Sequence, residues 1–177
     1  LANIPVVASR IEGQYAGSVY PATGFMQDSP HAGKPFNPEI GGVNQASGEV
    51  LIPAFLATYT GVDARKIYLD PFPSFAHVLP NWRVTYDGLV RLGAMNRIFK
   101  SFSLTHAYQC TYSVGSYSSY LNWVGINGDN TLGFTQDELT GEPVPSSPFN
   151  ISSVAITEKF APLIGLNATL KNDLRFN

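Results

Sequence analysis

Between Ser101 and Val114 the chain changes character at almost every step. Phe102, Leu104, His106, Tyr108, Cys110, Tyr112 and Val114 fall on one parity, and Ser101, Ser103, Thr105, Ala107, Gln109, Thr111 and Ser113 on the other. Side chains of an extended chain point alternately to opposite faces, so this pattern predicts a strand with one greasy face and one wet face. A soluble strand usually runs about 5–6 residues and the spanning strand of a membrane barrel about 9–11, so the length of the run favours the membrane. The same period predicts strands over residues 81–89, 101–123 and 151–177. In the first, Trp82, Val84 and Tyr86 oppose Arg83, Thr85 and Asp87; in the last, Val154, Ile156, Phe160, Leu166 and Leu170 oppose Thr157, Lys159 and Asn167. At about 3.3 Å per residue that last run approaches ~75 Å against a bilayer core of ~30 Å. It either projects beyond a membrane or bulges near Pro162 and Gly165. Residues 1–20 alternate more loosely, with Val7, Ile11, Tyr15 and Val19 against Arg10, Glu12 and Gln14, and predict one further barrel strand.

The segments between the strands follow neither period for long. Residues 21–80 read as a long loop interrupted by one apolar helix near 48–60, with Ser47 able to cap it, Glu49 in its first turn and Gly61 able to end it. Pro53 inside that stretch predicts a short or broken helix, and the prolines of Leu69–Pro80 predict an extended connector. Residues 90–100 form a short basic turn carrying Arg91, Arg97 and Lys100. Residues 125–150 form a polar loop with Asp129, Asp137, Glu138 and Glu142 and no basic residue.

Composition sharpens the membrane reading. Charged residues are 14 % of the chain while mean hydropathy is near zero, against about 25 % charged in an average soluble domain. No run approaches the ~20 apolar residues of a spanning helix, which leaves strands as the means of membrane contact. The expected fold is all-β: an antiparallel transmembrane β-barrel segment, part of a very large barrel, with long loops and one short helix. Ser103, Thr105, Gln109, Thr111 and Ser113 would face the lumen. Phe102, Leu104, Tyr108, Tyr112, Val114, Val154, Ile156, Phe160, Leu166 and Leu170 would face outer-membrane lipid or a partner. Short turns lie on the periplasmic side of such barrels and longer loops outside, which assigns 90–100 to the periplasm and 125–150 to the exterior. Four or so strands cannot close a barrel of at least eight, so other parts of the polypeptide or other chains must complete it. A chain that begins at Leu1 and stops at Asn177 within an alternating run is expected to be a piece of something larger. The competing reading is a soluble β-sandwich binding module, whose antiparallel sheets show the same alternation.

Chemistry is sparse. His31, His77 and His106 are scattered, no metal-binding, phosphate-loop or nucleophile motif occurs, and the single Cys110 sits on the apolar face. Asn127–Asn130 reads as a plain turn rather than a calcium loop, and the triplets at Asn150 and Asn167 match a glycosylation pattern that is common by chance. No enzyme activity, cofactor or metal is expected, and a net charge of −2 argues against nucleic acid.

Four stretches in order, "SGEVLIPAFLATYTG", "LPNWRVTYDGL", "FKSFSLTHAYQCTYSVGSYSSYLNW" and "ISSVAITEKFAPLIGLNATLKNDL", resemble the SprA/Sov family, the very large outer-membrane translocon of the type IX secretion system in Bacteroidetes. The resemblance is strongest from Ser47 onward. It implies one huge single-chain barrel in the outer membrane of a Gram-negative bacterium, passing folded cargo proteins to the cell surface through a wide lumen with a lateral opening. Its implied partners are the rest of the barrel chain, a shuttle barrel, a periplasmic plug protein and the secreted cargo; in some members the system supports gliding motility.

Overall fold

The computed structural model describes residues 2–70, 81–126 and 130–177, which fall into two compact units. Of the described residues, unit 1 comprises 2–70, 114–126 and 130–154, and unit 2 comprises 81–113 and 155–177. Most of the connector read at Leu69–Pro80, with His77, and most of the turn at Asn127–Asn130 lie outside the described residues.

Unit 1 opens with a helix, not with the barrel strand expected over 1–20. Helix α1 spans Asn3–Tyr15 and buries Val7, Ala8, Ile11 and Tyr15. Residues four apart share a face in a strand and in a helix alike, so Val7, Ile11 and Tyr15 fit both periods; the burial of Ala8 beside Val7 fits only the helix. Pro5 is harmless in the first turn, where backbone N–H groups have no partner within the helix. Helix α2 spans Gly48–Thr60 unbroken, with Pro53 inside it. Ser47 precedes it in extended conformation and its carbonyl accepts the Val50 and Leu51 N–H groups, and Gly61 ends it at φ 71°. Arg10 of α1 reaches beyond α2 and donates to the Ala64 and Ile67 carbonyls at 2.7 and 2.9 Å.

The segment 125–150, read as an open loop, contains strands. A three-stranded antiparallel sheet forms from β3 (Val124–Gly125), β4 (Gly133–Gln136) and β5 (Pro143–Ser146). Its second turn is built on Asp137, whose Oδ1 accepts from the Leu139 and Thr140 backbones, with Gly141 at φ 74°. These short strands carry Pro and Gly instead of a clear alternation, which hid them. The core of unit 1 is aromatic: Tyr15, Tyr20, Phe36 and Phe134 pack with ring centres 4.9–5.9 Å apart, and Tyr15 donates its hydroxyl to the Gly133 carbonyl at 3.0 Å.

Unit 2 is built on an antiparallel sheet. β1 (Trp82–Tyr86) pairs with β2 (Phe99–Ser119), β2 with β7 (Gly165–Leu170), and β7 with β8 (Arg175–Phe176). β6 (Phe149–Phe160) also pairs with β2; residues 114–119 of β2 and 149–154 of β6 belong to unit 1. The basic stretch between β1 and β2 is more than a turn: it holds a 3₁₀ turn at Gly88–Arg91 and a short helix α3 at Gly93–Ile98. β2 runs 21 residues. The run expected as one strand over 151–177 is instead three. Ala161 donates to the Ala107 carbonyl and Thr105 pairs with Gly165, so β2 advances two residues while its neighbour advances four. The surplus lies at Pro162 and Gly165, where the sequence allows a bulge. Further on, Lys171–Asp173 reverses the chain, with Asp173 at φ 64°, and β8 folds back on β7. The protein is thus largely β, in antiparallel sheets with few helices. Among the described residues these sheets are open.

Candidate functional site

The two faces of the unit 2 sheet are set by register. Leu104 lies opposite both Tyr86 and Leu166, Phe102 opposite Ala168, His106 opposite Val84 and Tyr108 opposite Trp82. Residues paired across a ladder share a face, so the even positions of β2 collect the apolar side chains of β1 and β7 into one surface. Phe176 joins it opposite Ala168. A register shift between Phe99 and Ser101 brings the odd-numbered Phe99 opposite Leu170, and its ring meets Phe102 at 5.2 Å. Phe160 lies beside Tyr108 and His106 with ring centres at 5.3 and 5.6 Å. Tyr112, Val114, Val154 and Ile156 are half-buried.

The opposite face is hydroxyl- and amide-rich. Ser103 pairs with Asn167, Thr105 with Gly165 and Thr85, and Ser101 with Thr169. Ser103 and Thr105 are half-buried, while Gln109, Thr111 and Ser113 are exposed. Ser113 donates to the Ala155 carbonyl at 3.4 Å. Register brings two cations, both on the polar parity of the sequence, to this face: Arg83 opposite Ala107 and Arg175 opposite Thr169.

Polar groups interrupt the apolar face at one level. Tyr108 donates its hydroxyl to the Glu158 carboxylate. His106 donates from Nδ1 to the Leu163 carbonyl at 2.6 Å, since a carbonyl can only accept. The β2 backbone just past its pairing with β1 is satisfied by a side chain, the Cys110 N–H donating to Asn81 Oδ1 at 2.6 Å. Cys110 itself is buried.

Unit 1 carries a cleft of about 480 Å³ where the start of α2 faces residues 147–154. Glu49 lines it and accepts the Ser147 backbone N–H. Burial raises the Glu49 carboxyl above its usual range, and hydrogen bonds from Ser147 and Ser146 partly oppose that rise. Burial also raises the neighbouring Tyr120, with the Glu49 charge as the next cause. Leu51 and Phe55 stand partly exposed at the rim. This is a hollow of mixed polar and apolar lining without a nucleophile, base and orienting group in line. His31 pairs instead with Glu142 at 2.8 Å. Among the described residues no three His, Cys, Asp or Glu side chains gather to hold a metal. Nor is any described helix long and apolar enough to cross a membrane, which says nothing of strands.

Neither a protein-family model nor a curated protein matches this chain.

Proposed function

We propose that this chain is a segment of an outer-membrane protein-translocation barrel, the role implied by its resemblance to the SprA/Sov family. The observation that carries the reading is the inversion of unit 2. Among its described residues only Tyr108, Cys110 and Ala168 are buried hydrophobics, while Trp82, Val84, Tyr86, Phe160, Leu166 and Phe176 are 40–56 % exposed on one face. Contiguous apolar surface of this kind marks a face meant for lipid or a partner. The wet face, with Ser103, Thr105, Gln109, Thr111 and Ser113, suits a lumen wall: neutral hydrogen-bonding groups that water satisfies and on which a folded cargo finds no apolar grip. Among the described residues β1 and β8 each pair on one side only, and their outer edges are where further strands of the barrel chain would join, since unpaired backbone groups are costly in lipid. The shuttle barrel, the periplasmic plug and the cargo proteins are the partners of this reading; it needs no cofactor and no catalysis.

Fractionation of cells with an antibody to this chain tests it. The chain should sediment with the outer membrane and leave it only in detergent, and its depletion should hold cargo proteins in the periplasm. A chain recovered in water without detergent would overturn the reading in favour of a β-sandwich binding module.

A further inference from the structure

The apolar face of unit 2 is banded along its strands. At one level Trp82 and Tyr108 stack with ring centres 4.3 Å apart and Phe160 and His106 join them. At a second level, towards the start of β2, Phe99 meets Phe102, and Phe176 lies opposite Ala168, itself opposite Phe102. Between the two lie Val84, Leu104 and Leu166. Charge begins at both borders. Glu158 takes the Tyr108 hydroxyl at the first level. At the second, Lys100 pairs with Asp173 at 2.8 Å, with Arg97 and Lys171 nearby in sequence.

The distance between the borders matches a membrane. From Phe99 to Tyr108 there are nine steps of ~3.4 Å, about 31 Å along the strand, or ~22–25 Å along the membrane normal at the ~35–45° tilt of barrel strands. Outer-membrane barrels carry an apolar band about 25 Å tall with an aromatic girdle at each border. A strand of 21 residues is therefore twice as long as the bilayer requires.

Resting on the membrane reading above, we propose that lipid covers only the window from Phe99 to Tyr108 of β2, with Val84, Tyr86 and Leu166 beside it. The remainder of β2 from Cys110 onward and the facing part of β6, from Glu158 back to Phe149, stand clear of the bilayer. An anionic carboxylate on the outer face of a barrel is costly near the midplane and tolerated near the interface, and Glu158 lies where this window ends.

Spin labels read the border directly. In a Cys110→Ala background, reconstituted in phosphatidylcholine vesicles, single cysteines would be labelled at Val84, Leu104, Leu166, Tyr112 and Ile156. The first three should collide several-fold more with dissolved oxygen than with a water-soluble nickel chelate, and the last two should show the reverse. A lipid signature that continues through Tyr112 and Ile156 overturns the window and leaves the membrane reading standing. Nickel access at Val84, Leu104 and Leu166 as well overturns both. The same border is read without touching the sheet in a Trp123→Phe chain: Trp82 should be quenched more by bromine placed near the lipid headgroup than by bromine near the acyl end, and the opposite order overturns the window.

Discussion

Glu49 and Asp137 show how two carboxylates in one unit respond oppositely to pH. Burial raises Glu49, so the folded state holds its proton more tightly than an unfolded chain does. Its effect on stability is therefore most favourable below about pH 4.3, the unfolded value, and declines as pH rises through the folded one. Asp137 is held below its usual range by the Thr140 backbone and hydroxyl and the Leu139 backbone; it stabilises above about pH 3.9 and loses that contribution as pH falls through its folded value. Glu49→Gln keeps an oxygen for the Ser147 N–H and removes the charge. The urea midpoint of unit 1, followed by Trp123 emission, should fall between pH 4.5 and neutrality in the parent chain and stay nearly flat in the variant. A parallel decline in both would place the cause elsewhere. Sequence marked Glu49 only as a first-turn residue, because the groups that hydrogen-bond it, Ser146 and Ser147, lie almost a hundred positions away. The wet column from Ser103 to Ser113 was legible for the opposite reason, since each member declares itself through its immediate neighbours.

Elements end where local chemistry permits and distant pairing requires. The alternation from Val154 to Phe176 ran on through Lys171, Asn172 and Asp173, because Leu170, Leu174 and Phe176 keep even parity across the turn. Asn and Asp are turn residues and tolerate positive φ, yet nothing local distinguishes a strand that continues from one that folds back. The Leu170 N–H, donating to the Leu174 carbonyl at 2.8 Å, closes the hairpin. Asp173→Val places a β-branched residue at φ 64°, a left-handed conformation that costs about 1–2 kcal/mol. The lost Lys100 pair adds little, being 65 and 72 % exposed at its two ends. In detergent the Leu170 amide should exchange roughly 5–30 times faster in the variant; unchanged exchange would show that pairing with β2 alone holds the hairpin. Helix α1 illustrates the complementary failure, in which Val7, Ile11 and Tyr15 satisfy two periods at once and the neighbour Ala8 decides between them.

The two units divide the work of folding unequally. Unit 1 hides Val7, Tyr15, Tyr20, Met26, Val50 and Phe134 almost completely, whereas unit 2 leaves Trp82, Val84, Tyr86, Phe160, Leu166 and Phe176 exposed. Hydrogen exchange of the chain before and after dilution of detergent should separate them. Amides of α1, α2, β4 and β5 should keep their protection, and those of β1, β7 and β2 from Phe99 to Tyr108 should lose it. Equal retention in both units would mean that the apolar face has a protein partner and not a lipid one. The sequence by itself determined that β2 is a strand, which of its side chains share a face, and how polar each face is, because alternation is a property of the extended backbone at each residue. It also announced α2 through its apolar run and the Gly61 stop. Only the tertiary structure decided that residues 3–15 coil instead of extending, that 151–177 breaks and turns back, and that residues 125–150 contain strands. Those outcomes depend on contacts such as Tyr15 with Gly133, Glu49 with Ser147 and Thr105 with Gly165, made between residues far apart along the chain, where a local period carries no information.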